Sequence, residues 1–456
     1  MHRTVVLDVV GLNQALLGEH TPRLSAFAAE GGVAAIDTVF PSVTCTVQST
    51  YLTGRRPAEH GVVANGWYFR DLNEVWLWRQ SNRLVQGPKV WDDARERDPS
   101  FTCANSFWWY AMATGADVTL TPRPLYCADG LKLPDFYAYP LALRDEFNDR
   151  FGTFPLFDFW GPRTSIASSA WIAKAAMEVE DRFSPSLQLV YLPHLDYVLQ
   201  REGPRADLSR DLGEIDAVAG DLIDHFRERG CRVIVLSEYG IVPVERPVFP
   251  NRRLREAGLL EVKVDLGREY LDPGASRAFA VVDHQLAHVY VADPRDREQV
   301  RELLESLEGV ARVLDEDGKR EYGLDHERAG EFVLLAEPDS WFAYYFWLDD
   351  ERAPDYARMV DIHRKPGFDP CELYVDPGLS MAEARVGWTL LRKALGFRYT
   401  MAVTPLDASL VRGSHGLRTA REEAPIFLSS EPRLMPGSDL AATDVRDRFL
   451  DHLFVD

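Results

Sequence analysis

The sequence predicts an α/β fold with a mostly parallel central sheet flanked by helices and an inserted α+β subdomain. Strand, helix and strand follow one another within the first 40 residues, and the same alternation returns between residues 187 and 236. From about residue 242 to 377 the pattern changes to alternating strands and short helices. The expected core is therefore residues 1–241 with 378–456, and the expected insert, a cap subdomain, is 242–377.

Each element has a local cause. The apolar run Val5-Val6-Leu7-Asp8-Val9-Val10 reads as a buried strand. Thr21-Pro22 opens a short helix, Gly31-Gly32 closes it, and residues 33–36 resume a strand. Residues 187–192 form the next apolar run, after which Leu208, Leu212, Ile215, Ala219, Leu222 and Phe226 recur at helical spacing before Gly230. Residues 233–236 return to strand. These strands end in polar residues: Asp8, then His194 and Asp196, then Ser237 and Glu238. Ligands of open parallel sheets sit beyond the carboxyl ends of the strands, so these side chains are expected to share a crevice. If the strand persists through Asp196, His194 faces the same side. In the insert, 279–282, 288–291, 332–335 and 341–347 read as strands and 297–307 as an amphipathic helix. Further on, 381–395 reads as a helix and 425–428 as a core strand following the turn Gly413-Ser414-His415-Gly416.

Composition narrows the function. A chain of 456 residues with 51 Lys+Arg against 71 Asp+Glu carries a formal charge of -20, which repels long polyanions and argues against nucleic-acid polymers. A small phosphate ester neutralised by metal ions remains compatible with it. Cys45, Cys103, Cys127, Cys231 and Cys371 are odd in number and widely spaced, so they are expected as free thiols. No run reaches membrane-spanning length and the first apolar segment is too short for a leader, which gives a cytoplasmic expectation.

The segment Pro41-Ser42-Val43-Thr44-Cys45-Thr46-Val47-Gln48 places a hydroxyl where a loop turns into a helix, so the helix N-terminus faces whatever anion that hydroxyl attacks. An ordinary capped helix reads the same way from these residues alone. The spacing from Thr44 to Thr53-Gly54, then to His60-Gly61 and Asn65, resembles the nucleophile segment of the nucleotide pyrophosphatase/phosphodiesterase branch of the alkaline phosphatase superfamily. The resemblance covers roughly residues 1–240 and 378–440. It implies an alkaline phosphatase-like fold and metal-dependent hydrolysis of a phosphate ester, a phosphodiester or nucleotide-type pyrophosphate, through a phosphothreonine.

Residue by residue, the resemblance implies Thr44 as nucleophile and metal ligand, Asn65 as the amide donor, and Asp8, Asp196 and His415 as metal ligands. At two further ligand positions the chain departs from the family. Gln200 stands where the family has a histidine, and Glu238-Tyr239 replaces its Asp-His pair. The family implies up to two divalent ions, zinc by resemblance. The oxygen-rich set here makes manganese or magnesium plausible, because His415 is the one nitrogen left at a matched position.

Other histidines can compensate: His194, or Asp361 with His363, and less readily His284 with His288, whose i, i+4 spacing suits a helix although strand follows. Asp361 and His363 lead into a turn-rich loop, residues 365–370, that can fold over the site. His60 is expected to pack behind the nucleophile turn. The aromatic runs Trp67-Tyr68-Phe69 and Phe107-Trp108-Trp109-Tyr110 can stack on a planar substrate group, with core packing the commoner fate of such residues. A sulfatase reading fails because Thr44, not a cysteine, stands nine residues before Thr53, and Cys45 lacks the Pro-Ser-Arg that would follow it. The substitutions keep two alternatives open: a degenerate member that binds a phosphorylated metabolite or partner protein without hydrolysing it, and a phosphoryl transferase or mutase.

Overall fold

A computed structural model describes residues 1–128, 131–379, 387–389, 391–392, 395–397 and 400–456. The helix expected over 381–395 falls largely outside the described residues. The elements that position the site are strand β1 (Thr4–Val9), helix α1 (Pro22–Gly31), strand β2 (Ala34–Asp37), helix α2 (Thr44–Thr53) and strands β3 (Cys103–Ser106), β4 (Val118–Pro122) and β5 (Phe136–Tyr139). They are followed by helix α3 (Ile166–Phe183), strand β6 (Leu187–Leu192), helices α4 (His194–Glu202) and α5 (Ser209–Glu228), and strand β7 (Arg232–Leu236).

The stretch expected as an insert, residues 242–377, holds strands β8 (Ala278–Asp283), β9 (Leu286–Val291), β10 (Val310–Leu314) and β11 (Phe332–Ala336). Strands β12 (Ile426–Ser429) and β13 (Asp439–Ala441) and helix α6 (Val445–Phe454) end the chain.

Nine strands make the central sheet, in the order β13-β2-β12-β7-β1-β6-β3-β4-β5. The inner strands β7, β1, β6, β3 and β4 run parallel, while β12 and the edge strand β5 run antiparallel to their neighbours. Asp8 lies level with Tyr191 on one side and Leu236 on the other, so the carboxyl ends of β1, β6 and β7 are in line. Helices α1, α3 and α5 form one packed group, and α2 packs with α6 in another. The strands between are buried along their whole length, as the near-continuous apolar runs of β1, β6 and β7 require.

Strands β8, β9, β11 and β10 pair antiparallel in that order as a second sheet with its own apolar core. A third cluster joins the two parts: Phe40, Val43, Cys45 and Val62 of the nucleophile segment pack with Leu286, Leu314, Val333 and Leu335 of the insert. The segment preceding Thr44 is thus held from both sides. Of the strand expected over 341–347, only residues Ser340–Phe342 are extended in a ladder. Tyr344, Tyr345, Phe346 and Trp347 are instead buried core side chains, because an unbroken apolar run signals burial without specifying strand.

The loop around Phe368 is anchored by a buried charge cluster. Lys365 Nζ lies 2.7 Å from both Asp369 Oδ2 and Glu372 Oε1, and all three side chains are at most 2% exposed. Removing the cation strands two buried carboxylates. Lys365→Met is expected to lower unfolding free energy by about 3 kcal/mol in urea titration; wild-type stability in that variant would show that the cluster does not anchor the loop.

Candidate active site

Helix α2 is polar in sequence yet buried throughout. The contradiction resolves through its hydroxyls: Ser49, Thr50 and Thr53 donate to the carbonyls of Cys45, Thr46 and Ser49 at 2.7, 3.0 and 2.7 Å, and Tyr51 donates to Ser237 O at 2.8 Å. His60 Nε2 meets Thr50 Oγ1 at 3.0 Å and its Nδ1 accepts from Val62 N–H, behind the turn. Thr44 is the first helical residue, after extended Val43, and its hydroxyl is spared for another partner. It lies 3.0 Å from the Tyr239 hydroxyl, which donates to Asp196 Oδ1 at 3.1 Å.

Asn65 is clamped beside this turn. Its Oδ1 accepts from Cys45 N–H at 2.9 Å, while its backbone N–H and Nδ2 donate to the two oxygens of Asp283 at 2.7 and 3.1 Å. Nδ2 has two hydrogens, so one remains for a ligand.

Two acidic groups flank Thr44. In the first, Gln48 Nε2 donates to Glu238 Oε1 at 2.6 Å and approaches Asp8 Oδ2 at 3.4 Å, with its own carbonyl held by Trp109 N–H at 2.7 Å. In the second, Gln200 Nε2 donates to Asp196 Oδ2 at 2.9 Å, and His415 Nε2 lies 3.8 Å from Asp196 Oδ1. His415 Nδ1 sits 2.8 Å from Ser42 O, a pure acceptor, so Nδ1 carries the proton and Nε2 keeps its lone pair toward Asp196. The turn bearing His415 fits because Gly413 has no side chain: a Cβ there would meet Leu199 O at 2.1 Å.

A pile of rings fixes the imidazole. Tyr239 stacks on one face of His415, with centroids 3.6 Å apart and planes 5° from parallel. His284 covers the other at 3.7 Å, and Phe368 stacks on His284 at 3.7 Å. His284 adopts φ 60°, a conformation unusual for a side-chain-bearing residue, at the β8–β9 turn, and its Nδ1 lies 2.7 Å from Asp283 Oδ1.

Burial sets the electrostatics. It lifts the Asp196 carboxyl to about 7 against the hydrogen bonds of Gln200 and Tyr239, and the Glu238 carboxyl to about 7. Burial, then the charge of Glu238, push Asp8 well above the carboxylate range. Burial also holds His415 and His284 well below the usual imidazole value, so both are neutral. Asp8 Oδ1, Glu238 Oε2 and Gln200 Oε1 are buried acceptors with no donor among the described residues. Three carboxylates, an amide oxygen and a bare imidazole nitrogen, short of donors, fit divalent cations and favour hard ones.

The structure thus brings Asp8, Thr44, Asn65, Asp196, Gln200, Glu238, Tyr239 and His415 together. His194 is placed elsewhere. Pro193 ends β6 and α4 begins at once, so His194 does not share a strand face with Asp196. Its Nε2 lies 3.4 Å from Asp211 Oδ1 and 3.5 Å from Glu214 Oε2, against α5. Among the described residues this is the one trio of His, Cys, Asp or Glu with ligand atoms all within 4.8 Å. Asp361 pairs with Arg364 at 3.1 Å, and its backbone N–H donates to Glu372. His363 lines the cavity with Thr44, and its Nδ1 has no hydrogen-bond partner among the described residues.

His284 and His288 form no helical pair. They lie on a hairpin, where His288 Nε2 turns to Val63 O at 3.1 Å. His284, expected as half of a metal-binding pair, instead takes its place in the ring pile, and Gln48 is a site residue that the sequence pattern did not single out. Gln48 was signalled only by lying one turn after Thr44, on the same helix face.

The raised carboxyls give a pH dependence. Between the ordinary carboxyl value of 4.5 and about 7, native Glu238 keeps a proton that the unfolded chain has released. Stability of chelator-treated protein therefore falls as pH rises through that window. Thermal melting from pH 5 to 8 should show this fall, and Mn2+ should reverse it most at the alkaline end by replacing the protons; a melting temperature that rises with pH and ignores Mn2+ would contradict the assignment.

Several known proteins resemble this chain. A yeast (Saccharomyces cerevisiae) ectonucleotide pyrophosphatase/phosphodiesterase 1 is 24% identical over 299 residues, 57% of this chain and 36% of that protein. An uncharacterized pyrophosphatase/phosphodiesterase of Schizosaccharomyces pombe is 24% identical over 45% of this chain and 37% of its own length. The matches thus span little more than a third of these curated relatives. Among solved structures, phosphonoacetate hydrolase of Sinorhizobium meliloti superposes with TM-score 0.62 at 15% identity, covering 99% of this chain and 96% of that one. Murine ectonucleotide pyrophosphatase/phosphodiesterase 5, solved as an inactive variant with AMP, gives 0.59 at 14%, covering 99% and 94%. These likenesses establish the alkaline phosphatase-like fold. The family model for type I phosphodiesterase / nucleotide pyrophosphatase matches residues 4–369, and with that match this chain belongs to that family of hydrolases.

Proposed function

We propose that this chain hydrolyses a small phosphoric ester, a phosphodiester or nucleotide-type pyrophosphate, through a phosphothreonine on Thr44. The observation that carries this reading is the placement of the Thr44 hydroxyl, at a helix N-terminus, between two buried carboxylate groups. Asp8, Glu238 and Thr44 would hold one divalent cation, and Asp196, Gln200 and His415 the other, with Tyr239 between them. Bound there, such cations neutralise phosphate oxygens and favour the deprotonated forms of the attacking oxygens.

The chain's own groups do the rest. Thr44 Oγ1 attacks phosphorus in line with the leaving oxygen. Its proton passes to the Tyr239 oxygen while the phenolic proton moves to Asp196, along contacts of 3.0 and 3.1 Å. The free Nδ2 hydrogen of Asn65 meets the equatorial oxygen as charge builds there. The leaving oxygen departs with its bonding pair and takes a proton from solvent. Water then attacks phosphorus and the P–Oγ1 bond breaks; the proton held on Asp196 returns through Tyr239 to Thr44 Oγ1, and the proton of the water goes to solvent. Five cysteines without disulfides accord with a reducing, cytoplasmic setting. Among the described residues no helix is long and apolar enough to cross a membrane.

A second reading rests on Gln48, whose amide occupies the space between Glu238 and Asp8. A protein that kept this arrangement with metal present would bind a phosphorylated ligand without cleaving it. Two measurements decide. Thr44→Ala should cut turnover of bis(p-nitrophenyl) phosphate by roughly a thousandfold or more, and unchanged turnover would remove Thr44 from the mechanism. Elemental analysis of protein purified without chelator should find tightly held divalent metal; its absence together with no turnover supports the non-hydrolysing reading.

A further inference from the structure

The cavity that exposes Thr44, Asp196, Tyr239 and His415 is also lined by three cations, Arg79, Arg123 and Lys132. In a chain with 71 acidic and 51 basic residues, cations find partners easily, and most arginines here do. These three have no carboxylate within ion-pair distance among the described residues. They are also neighbours: on Arg79 burial opposes the charge, Glu74 favours it and Arg123 disfavours it, and after burial it is Lys132 and Arg79 that hold the His363 imidazole down to about 4. His363 lines the same cavity with a buried, unpartnered Nδ1.

Burial itself opposes the charge on Arg79 and on Lys132. Arg79 and Lys132 are partly desolvated, and the exposed Arg123 stands beside Arg79. Glu74 near Arg79, and Glu372 and Asp361 near Lys132, favour the charges without pairing with them, so an external anion relieves the remaining cost. The forks are pre-oriented for one. The Arg79 guanidinium lies over the Trp76 ring at 3.5 Å, and Arg123 Nη1 is held by Met112 Sδ at 2.7 Å. The walls of the same cavity include Trp78, Trp109, Trp160 and Phe368, which suit a flat or hydrocarbon spacer. The cavity volume of 290 Å³ suits a compact ligand.

We infer that Arg79, Arg123 and Lys132 form an anion subsite for a second oxyanion, carboxylate or phosphate, on the substrate arm that stays on the scissile phosphorus. This rests on the hydrolytic reading above and specifies its substrate class: a small phosphodiester whose retained arm is itself anionic. The phosphoryl group is met at Thr44 and the distal oxyanion by the guanidinium forks, so an uncharged arm leaves the three cations unpaired.

Three diesters with one leaving group test this: p-nitrophenyl phenyl phosphate and its 4-carboxyphenyl and 4-phosphonophenyl analogues, assayed with metal-loaded full-length protein. The anionic arms should raise kcat/KM by about tenfold or more over the phenyl arm, and the larger gain identifies the oxyanion. In the double variant R79Q/R123Q, its fold checked by circular dichroism, the ratio between anionic and uncharged diesters should fall towards one. Equal kcat/KM for all three diesters, or a preference that survives in the variant, would overturn the subsite. Should no diester turn over, the hydrolytic reading fails by itself. Calorimetry with phenylphosphonate and 4-carboxyphenylphosphonate then decides: tighter binding of the carboxylated probe, lost in R79Q/R123Q, supports the subsite, and equal binding overturns it.

Discussion

Everything at this site follows from burying three carboxylates, Asp8, Asp196 and Glu238, where the sheet supplies too few donors for them. Backbone amides near the carboxyl ends of parallel strands are largely spent on the ladder, so negative charge placed there must find protons, side-chain donors or cations. The chain answers in part with Gln48, Gln200 and Tyr239. The acceptors left over suit cations, and Thr44 stands between the two carboxylate groups.

The insert participates through the same constraint. Asp283, at the end of β8, holds Asn65 by two hydrogen bonds and His284 by a third. Its side chain is also buried, and burial lifts it to about 6. One residue thus ties Asn65 to the ring pile that supports His415. The shared apolar cluster of Val43, Cys45, Leu286 and Val333 keeps the two parts in register, so Thr44 is positioned by the core and the insert together.

Much of this was legible in the sequence because it is local. β1, β6 and β7 are near-continuous apolar runs with acids at or just beyond their ends, and the spacing from Thr44 to Asn65 lies within one stretch of chain. What escaped was the result of turns. The Pro193 break converts the segment after β6 into a helix, which keeps Asp196 at the site but sends His194 to Asp211 and Glu214. The i, i+4 spacing of His284 and His288 hides a tight hairpin, with His284 at positive φ facing the cavity and His288 facing Val63. Gln48 carries no motif; its role exists only because α2 lies across the ends of β1 and β7. The role of Tyr239 was equally hidden, since a phenol that bridges Thr44 and Asp196 is visible only in three dimensions.

The central claim is that the surplus acceptors hold metal beside Thr44. Crystals of the protein grown with Mn2+ and measured at the manganese absorption edge test it most directly. Anomalous peaks are expected between Asp8 and Glu238, with the Gln48 amide displaced, and between Asp196, Gln200 and His415. Absence of both peaks, with Gln48 still between the carboxylates, would contradict the account.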